Sequence, residues 1–413
     1  PSRQQGCSKP GVAIRPASKL TMPRVLIIQA EMKYYRVPFF TGLHAALRQD
    51  GIDLVVAYSK QNSKQAIRED GAELPPEFGR KLRGRWFANR FLYQSVWKEV
   101  ASADLVIVGN ENKYLVNPFL LLLSALRLKT VAFWGLGPNR HPDRSPVSEW
   151  IKERIVTAPD WWFAYTQGIA EYLRRRGMSA QIITNVQNAT DMRRHLKEIH
   201  DSDAVRAKQA LTGSTDSRVG LYCGLLGPIK EIPLLLDAAR LVRRRCPDFH
   251  LVIVGNGPER RWMEKSIAGD PWIHYVGAKF GPECALYYKI ADLFMLAGTA
   301  GLAIVDSFAA GLPVIATNLT THSPEIEYLV DGENGRITAH SATSMADAVV
   351  EALANPALMA ALRRGAQAAG SQYTLEAMIE NFRSGIRECL ARYSSTSWSS
   401  LKTRHYRANN VDA

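Results

Sequence analysis

Short apolar runs recur along the chain, separated by segments whose apolar positions fall three or four residues apart. "RVLIIQ" at 24–29 and "DLVVAYS" over Asp53–Ser59 are β-branched, uninterrupted and closed by polar residues, which predicts strands buried on both faces. Between them "VPFFTGLHAALRQ" over Val37–Gln49 has helical spacing and is closed by Gly51. The alternation returns with "DLVIVGN" at 104–110, a helical pattern around 119–128 and "TVAFWG" over Thr130–Gly135. A strand, a helix ended by Gly177 and a further strand then fill "DWWFAYTQGIAEYLRRRGMSAQIITNVQNATD" at 160–191. Strands alternating with helices predict a parallel sheet covered on both faces.

Residues 192–217 break this rhythm: they are highly charged and end in the loop-like "TGSTDS". A second series follows, with "VGLYCG", a helical pattern over 233–245, "HLVIVGNGPE", "IHYVG", "YKIADLFML", "GLPVIAT" and "NGRIT", then helices from Met345 to about Tyr393. The pattern therefore predicts an α/β chain of two doubly wound, Rossmann-like domains facing across a cleft, at 23–190 and 218–370. A linker is expected at 191–217, a last helix crossing back to the first domain at 371–393, and disordered or mobile tails at 1–22 and 394–413. Met22 reads as a natural start. "NPFLLLLSAL" at 117–126 is the longest apolar stretch and falls well short of the about 18 residues a membrane span needs, so a buried helix is expected there.

Charge changes the picture. The formal net charge is +13, and residues 1–190 hold 27 Lys and Arg against 15 Asp and Glu, leaving the rest of the chain close to neutral. An excess confined to one half points to an anionic partner for that half. "GRKLRGRWFANRF" at 79–91 interleaves five cations with Trp86, Phe87 and Phe91, a mixture suited to an anionic bilayer surface; single-stranded nucleic acid and a solvated helix face are the alternatives, the membrane being favoured and nucleic acid disfavoured. The five scattered cysteines have no spacing for a disulfide framework or a zinc site and suit a reducing cytoplasm.

Candidate chemistry concentrates in "AGTAGLAIVDSFAAGLPVIATN" at 297–318. Gly298 and Gly301 sit where a strand should pass into a helix near Leu302, a turn at which backbone N–H groups collect and a phosphate can approach closely. Thr299 and Ala300 complete that turn. Asp306, about one helical turn on, offers an acceptor to ribose hydroxyls, and Gly311 with Pro313 returns the chain to a strand.

The ordered set "GLLGPIKE", "LVIVGNGPE", "IHYVG", "YKIADLFML", "GLPVIAT" and "SPEIEYLVDGENG" resembles the nucleotide-sugar-binding domain of retaining GT-B glycosyltransferases of family 4. Asn188-Ala189-Thr190-Asp191 resembles the family's turn at the end of the first domain, so the likeness covers most of residues 23–390. It implies that Lys230, beyond Gly224 in the glycine-loop-lysine element, compensates the donor pyrophosphate, although the arginine usually five positions earlier is Leu225. The family's two glutamates fall at Gly298 and Asp306, so a mechanism needing the first as a nucleophile is in doubt here, whereas front-face displacement does not need it. Glu325 matches a glutamate facing the donor; Gly277 and Lys279 fall where relatives hold the base; His141 lies near the place of a family histidine.

In the first domain, "AEMKYYRVPFF" at 30–40 replaces a glycine-rich loop with bulky, cationic residues. The implied function is transfer of a sugar from a nucleoside diphosphate sugar to a saccharide or lipid-linked acceptor, in cell-surface polysaccharide or glycolipid synthesis. No cofactor or metal is implied: the one Asp-x-Asp, at Asp201 and Asp203, lies in the charged connector. A cytoplasmic enzyme, peripheral on the inner face of the membrane, is expected. The alternatives are a catalytically silent GT-B module that binds a glycan or partners an active enzyme, and a nucleotide-sugar epimerase.

Overall fold

The computed structural model describes residues 22–61, 70–137 and 153–394. The expected tails, apart from their innermost residues, lie outside these residues, as does His141.

The first domain is a parallel seven-stranded sheet. Its strands are β1 (Arg24–Glu31), β2 (Asp53–Ser59), β3 (Gly79–Lys81), β6 (Leu105–Gly109), β7 (Thr130–Gly135), β8 (Trp161–Ala164) and β9 (Ile183–Asn185), in the order β3-β2-β1-β6-β7-β8-β9, with a separate hairpin of β4 (Gly84–Phe87) and β5 (Phe91–Gln94). β6, β7 and β8 are buried at every position, the expected result for apolar strands sandwiched between helices. The helix Val37–Gln49 starts with Pro38 in its first turn, where proline costs no hydrogen bond, and buries Phe39, Phe40, Leu43 and Leu47 along one stripe.

The second domain repeats the plan with six parallel strands, β10 (Arg218–Cys223), β11 (Phe249–Val254), β12 (Ile273–Tyr275), β13 (Leu293–Leu296), β14 (Val314–Thr317) and β15 (Gly335–Thr338), in the order β12-β11-β10-β13-β14-β15. In both sheets the first strand lies between neighbours reached in opposite directions, β2 and β6 around β1, β11 and β13 around β10. Ligand crevices of open α/β sheets form at the carboxyl ends of such switch points.

The last helix, Leu375–Ser394, returns to the first domain. Phe382 stacks on Phe163 at 4.8 Å and meets Phe39 and Trp134 at 5.0 Å each, while Arg383 makes paired 2.7 Å hydrogen bonds to both carboxylate oxygens of Asp50. Gly42 permits the close approach, because a Cβ there would stand 2.5 Å from Ile379 Cδ1.

Three regions differ from the sequence reading. Residues 191–217 form helices Met192–Glu198 and Asp201–Thr212 that pack on the second domain, with Lys289 bound to the Ile199 carbonyl and to Asp201, so they are part of that body and not a free connector. The cationic stretch 79–91 is extended and so is not a helix face: it forms β3 and most of the hairpin. The helix Asn117–Ala125 buries only one side; Phe119 and Leu122 are 58% and 55% exposed. Among the described residues no single helix is long and apolar enough to cross a membrane.

Candidate active site

Between the two sheets the cleft holds a cavity of about 650 Å³. Its second-domain wall begins where β10 ends. Beyond Gly224 the chain makes a 3-10 turn, Pro228–Lys230, and enters the helix Ile232–Arg245 through Glu231, whose φ of 52° is left-handed. This entry directs Lys230 to the loop after β13, where Nζ donates to the Thr299 carbonyl at 2.5 Å and the Thr299 N–H donates to the Ile229 carbonyl at 2.9 Å. The two loops are thus latched together.

Gly298 makes the latch possible. A Cβ at that position would stand 2.4 Å from the carbonyl carbon of Lys230, so any side chain there would push the loops apart. Gly298 is buried against that backbone and does not line the cleft, a correction to its expected donor contact. Position 298, where the resemblance implied a carboxylate, is thus taken up by a backbone crossing.

Gly224, Thr299, Ala300, Gly301 and Leu302 do line the cleft, and the helix Ala303–Ala309 starts directly after them. The position of this turn is set by His322, which is 3% exposed and also lines the cleft. The Ala300 N–H donates to its Nδ1 at 2.9 Å, and its Nε2 lies 2.7 Å from the Thr317 carbonyl, an arrangement that requires the neutral Nε2–H tautomer. Gly277 and Lys279 are not brought to the cleft. They follow β12, the outer strand of the sheet and two strands from the switch point; the Gly277 carbonyl accepts from Gly255, and Lys279 pairs with Glu283 at 3.3 Å.

Both expected acids are held by the first domain. Glu325, 3% exposed, accepts from Asn188 Nδ2 at 2.6 Å and from Ser323 Oγ at 2.6 Å. Asp306 accepts from the Thr190 hydroxyl at 2.5 Å. Burial pushes the Asp306 carboxyl up to about 7, and the Thr190 hydrogen bond opposes that shift. A third acid, Glu327, receives the Gly168 N–H at 3.1 Å on each oxygen, so a carboxylate of one domain caps the helix Gln167–Arg175 of the other.

The first-domain wall carries the residues that sequence reasoning left without roles. Tyr34 packs edge-on against Phe280 at 4.7 Å, closing one end of the cleft. Arg36, 7% exposed, lies over Trp134, Tyr35 and Tyr165 at 5.2, 5.3 and 6.0 Å from their ring centres. Asn188 and Thr190 come from the resemblance's turn, and their cross-domain partners have no local signature. Asp201 and Asp203 begin a helix and pair with Lys289 and Arg206; among the described residues no group of three or more His, Cys, Asp or Glu could hold a metal ion.

Residues 217–355 match the family model described as glycosyl transferases group 1. Over 88% of its length the chain superposes on 99% of Anabaena HepE in complex with UDP and glucose, with a TM-score of 0.65 at 17% identity. The fold is GT-B, and the family match lies within its second domain. Sucrose-phosphate synthase from Thermosynechococcus elongatus is similar at a TM-score of 0.66 and 18% identity, covering 90% of this chain and all of that one. A putative UDP-N-acetylglucosamine 2-epimerase from Listeria monocytogenes shares the GT-B fold too, at 0.60 and 14%, covering 89% of this chain and 97% of that one. Among curated proteins, α-monoglucosyldiacylglycerol synthase of Acholeplasma laidlawii is 26% identical over 47% of this chain and 49% of its own length. The D-inositol 3-phosphate glycosyltransferase of Saccharomonospora viridis is 22% identical over 59% of each. This GT-B chain thus spans about half the length of these curated relatives.

Proposed function

We propose that the chain is a retaining glycosyltransferase that moves a sugar from a nucleoside diphosphate sugar to a lipid-linked or saccharide acceptor at an anionic membrane surface. The observation that carries the reading is the latched pair of loops at the β10 switch point, where Lys230 stands beside the turn 299–302. A Cβ on Gly301 would lie 3.9 Å from Lys230 Nζ, so the cation and an open helix start share one spot, as binding of a diphosphate requires.

With position 298 closed to any carboxylate, the reaction fits front-face displacement. The bond from the anomeric carbon to the diphosphate oxygen breaks, the acceptor oxygen bonds to the same face, and its proton passes to the departing diphosphate. Lys230 and the turn stabilise the charge that develops on the leaving group. Asp306 holds donor hydroxyls with the carboxylate oxygen that Thr190 leaves unused, and Glu325, fixed by Asn188 and Ser323, borders the sugar.

The membrane partner follows from the face around Asn117–Ala125. Phe119, Leu122, Leu126 and Leu128 are each more than half exposed, Trp97 meets Phe119 edge-on at 6.0 Å, and the cationic strand and hairpin segment 80–90 lies in the same domain. Exposed apolar side chains and cations in one domain suit insertion between anionic headgroups. The relative named for monoglucosyldiacylglycerol supports a lipid-linked acceptor, and the one named for D-inositol 3-phosphate a polar, phosphorylated one.

The test is donor hydrolysis and transfer followed by NMR. Slow release of free sugar with retained configuration from a UDP- or GDP-sugar, lost in Lys230→Ala, is expected. Tight nucleotide-sugar binding without turnover on any acceptor would instead establish a silent GT-B module, and release of an epimerised sugar would establish an epimerase.

A further inference from the structure

Arg36 is a buried cation whose charge the described residues leave uncompensated. Its guanidinium sits over three aromatic rings, and among the described residues its one hydrogen bond is from Nη1 to the thioether sulfur of Met378 at 3.8 Å. Among the described residues no carboxylate lies within 4 Å of it. The acids of its own wall are committed elsewhere: Glu31 and Asp70 both pair with Lys33 at 3.6 Å, Glu111 pairs with Lys113 at 3.4 Å, and Glu325 is occupied by Asn188 and Ser323. Burying an ion without a counterion is costly, and rings compensate only part of that cost. Arg36 nonetheless lines the cleft, with most of its N–H groups unused.

We propose that Arg36 is an anion-binding residue of the first-domain wall, and that its ligand is a phosphate group carried by the acceptor. This deepens the glycosyltransferase reading and rests on it for the acceptor's role. A guanidinium presents a planar fork that receives two phosphate oxygens at once, and the rings of Trp134 and Tyr165 hold that fork in place before the ligand arrives. The donor diphosphate has its own cation in Lys230, which the second domain supplies from the opposite wall. Arg36 is caged by first-domain rings and by the last helix, so it serves the half of the cleft where the acceptor enters. The positive excess of residues 1–190 would steer an anionic acceptor toward the same wall.

The test is calorimetric titration of glycerol 1-phosphate into the full chain, alone and with saturating UDP or GDP, with uncharged glycerol as control. Binding is expected with and without nucleotide, and Arg36→Met is expected to weaken it about ten- to hundredfold. The ligand-free melting temperature of that variant should be unchanged or higher, because an uncompensated buried charge has been removed; a purely structural arginine would lower it. Arg36→Lys keeps the charge without the fork and should weaken the probe about tenfold, giving a second readout if Arg36→Met does not fold. Unchanged affinity in either variant overturns the proposal. So does displacement of glycerol 1-phosphate by UDP, which would assign the arginine to the donor diphosphate. Failure to bind UDP or GDP with Arg36-dependent phosphate binding intact would remove the donor reading and leave this site standing.

Discussion

The two walls of the cleft are built differently. The second-domain wall is made of backbone crossing backbone: Gly298 lies on the Lys230 loop, Thr299 exchanges hydrogen bonds with that loop, and His322 fixes the turn. Few side chains there could change without moving several others. The first-domain wall is made of large side chains, Tyr34, Tyr35, Arg36 and Tyr165, backed by Trp134, that meet across space and depend on one another only through packing. A wall of the first kind suits a ligand group common to many donors, and a wall of the second kind can be altered residue by residue to suit one acceptor.

The sharpest way to break that contrast is Lys230→Ala. Loss of the charge-assisted contacts to a diphosphate should lower UDP or GDP affinity about ten- to hundredfold in titration calorimetry, and lower kcat/KM further, since the leaving group gains charge in the transition state. Equal affinity in the variant would move the donor away from the latched loops.

Gly298→Ala comes next. A methyl group 2.4 Å from the Lys230 carbonyl carbon forces the latch open, at a cost of about 1–3 kcal/mol in urea unfolding, with nucleotide affinity falling in parallel. Gly298→Glu should be worse on both counts. A variant that kept full stability would show that the wall is not the rigid crossing described.

Asp306 gives a smaller effect with a definite sign. Its carboxyl is raised to about 7 in the folded chain, above its unfolded value of 3.8. Ionisation therefore disfavours the fold progressively between those two values, and the penalty is complete above about 7. Asp306→Asn, which can still accept from Thr190, should melt higher than the parent at pH 8 and nearly together with it at pH 4. Donor affinity of the parent should rise as pH passes through 7, because the ionised oxygen is the better acceptor.

The least effect on stability belongs to the exposed face. Phe119→Asp with Leu122→Asp should leave melting within about 0.5 kcal/mol of the parent yet reduce co-sedimentation with phosphatidylglycerol vesicles, while vesicles of phosphatidylcholine alone bind weakly throughout.

Much of the scaffold was legible because it follows from local periodicity. The helix Val37–Gln49 and the strands Asp53–Ser59 and Thr130–Gly135 have the bounds that their apolar spacing predicts. Thr299, Ala300, Gly301 and Leu302 could be placed at a strand-to-helix turn for the same reason. Gly298 and Gly301 look alike in sequence, and only the path of a loop some seventy residues away separates a buried crossing from a cleft surface. Asn188 and Thr190 became partners of Glu325 and Asp306 through the docking of two domains, which no spacing encodes. The hairpin Gly84–Phe87 and Phe91–Gln94 was obscured because its first strand is largely exposed and has no two-residue alternation of apolar positions. Arg36 stood in a segment marked as bulky and cationic, but its lack of a counterion among the described residues is a property of the assembled cleft.

The returning helix Leu375–Ser394 bears on how the molecule is made. Phe382 fills the space among Phe39, Trp134 and Phe163, three residues that leave the ribosome more than two hundred residues earlier. During synthesis that gap stays unfilled while the whole second domain emerges, so the nascent first half waits for its final piece, and any truncation before residue 375 would strand it in that unfinished state.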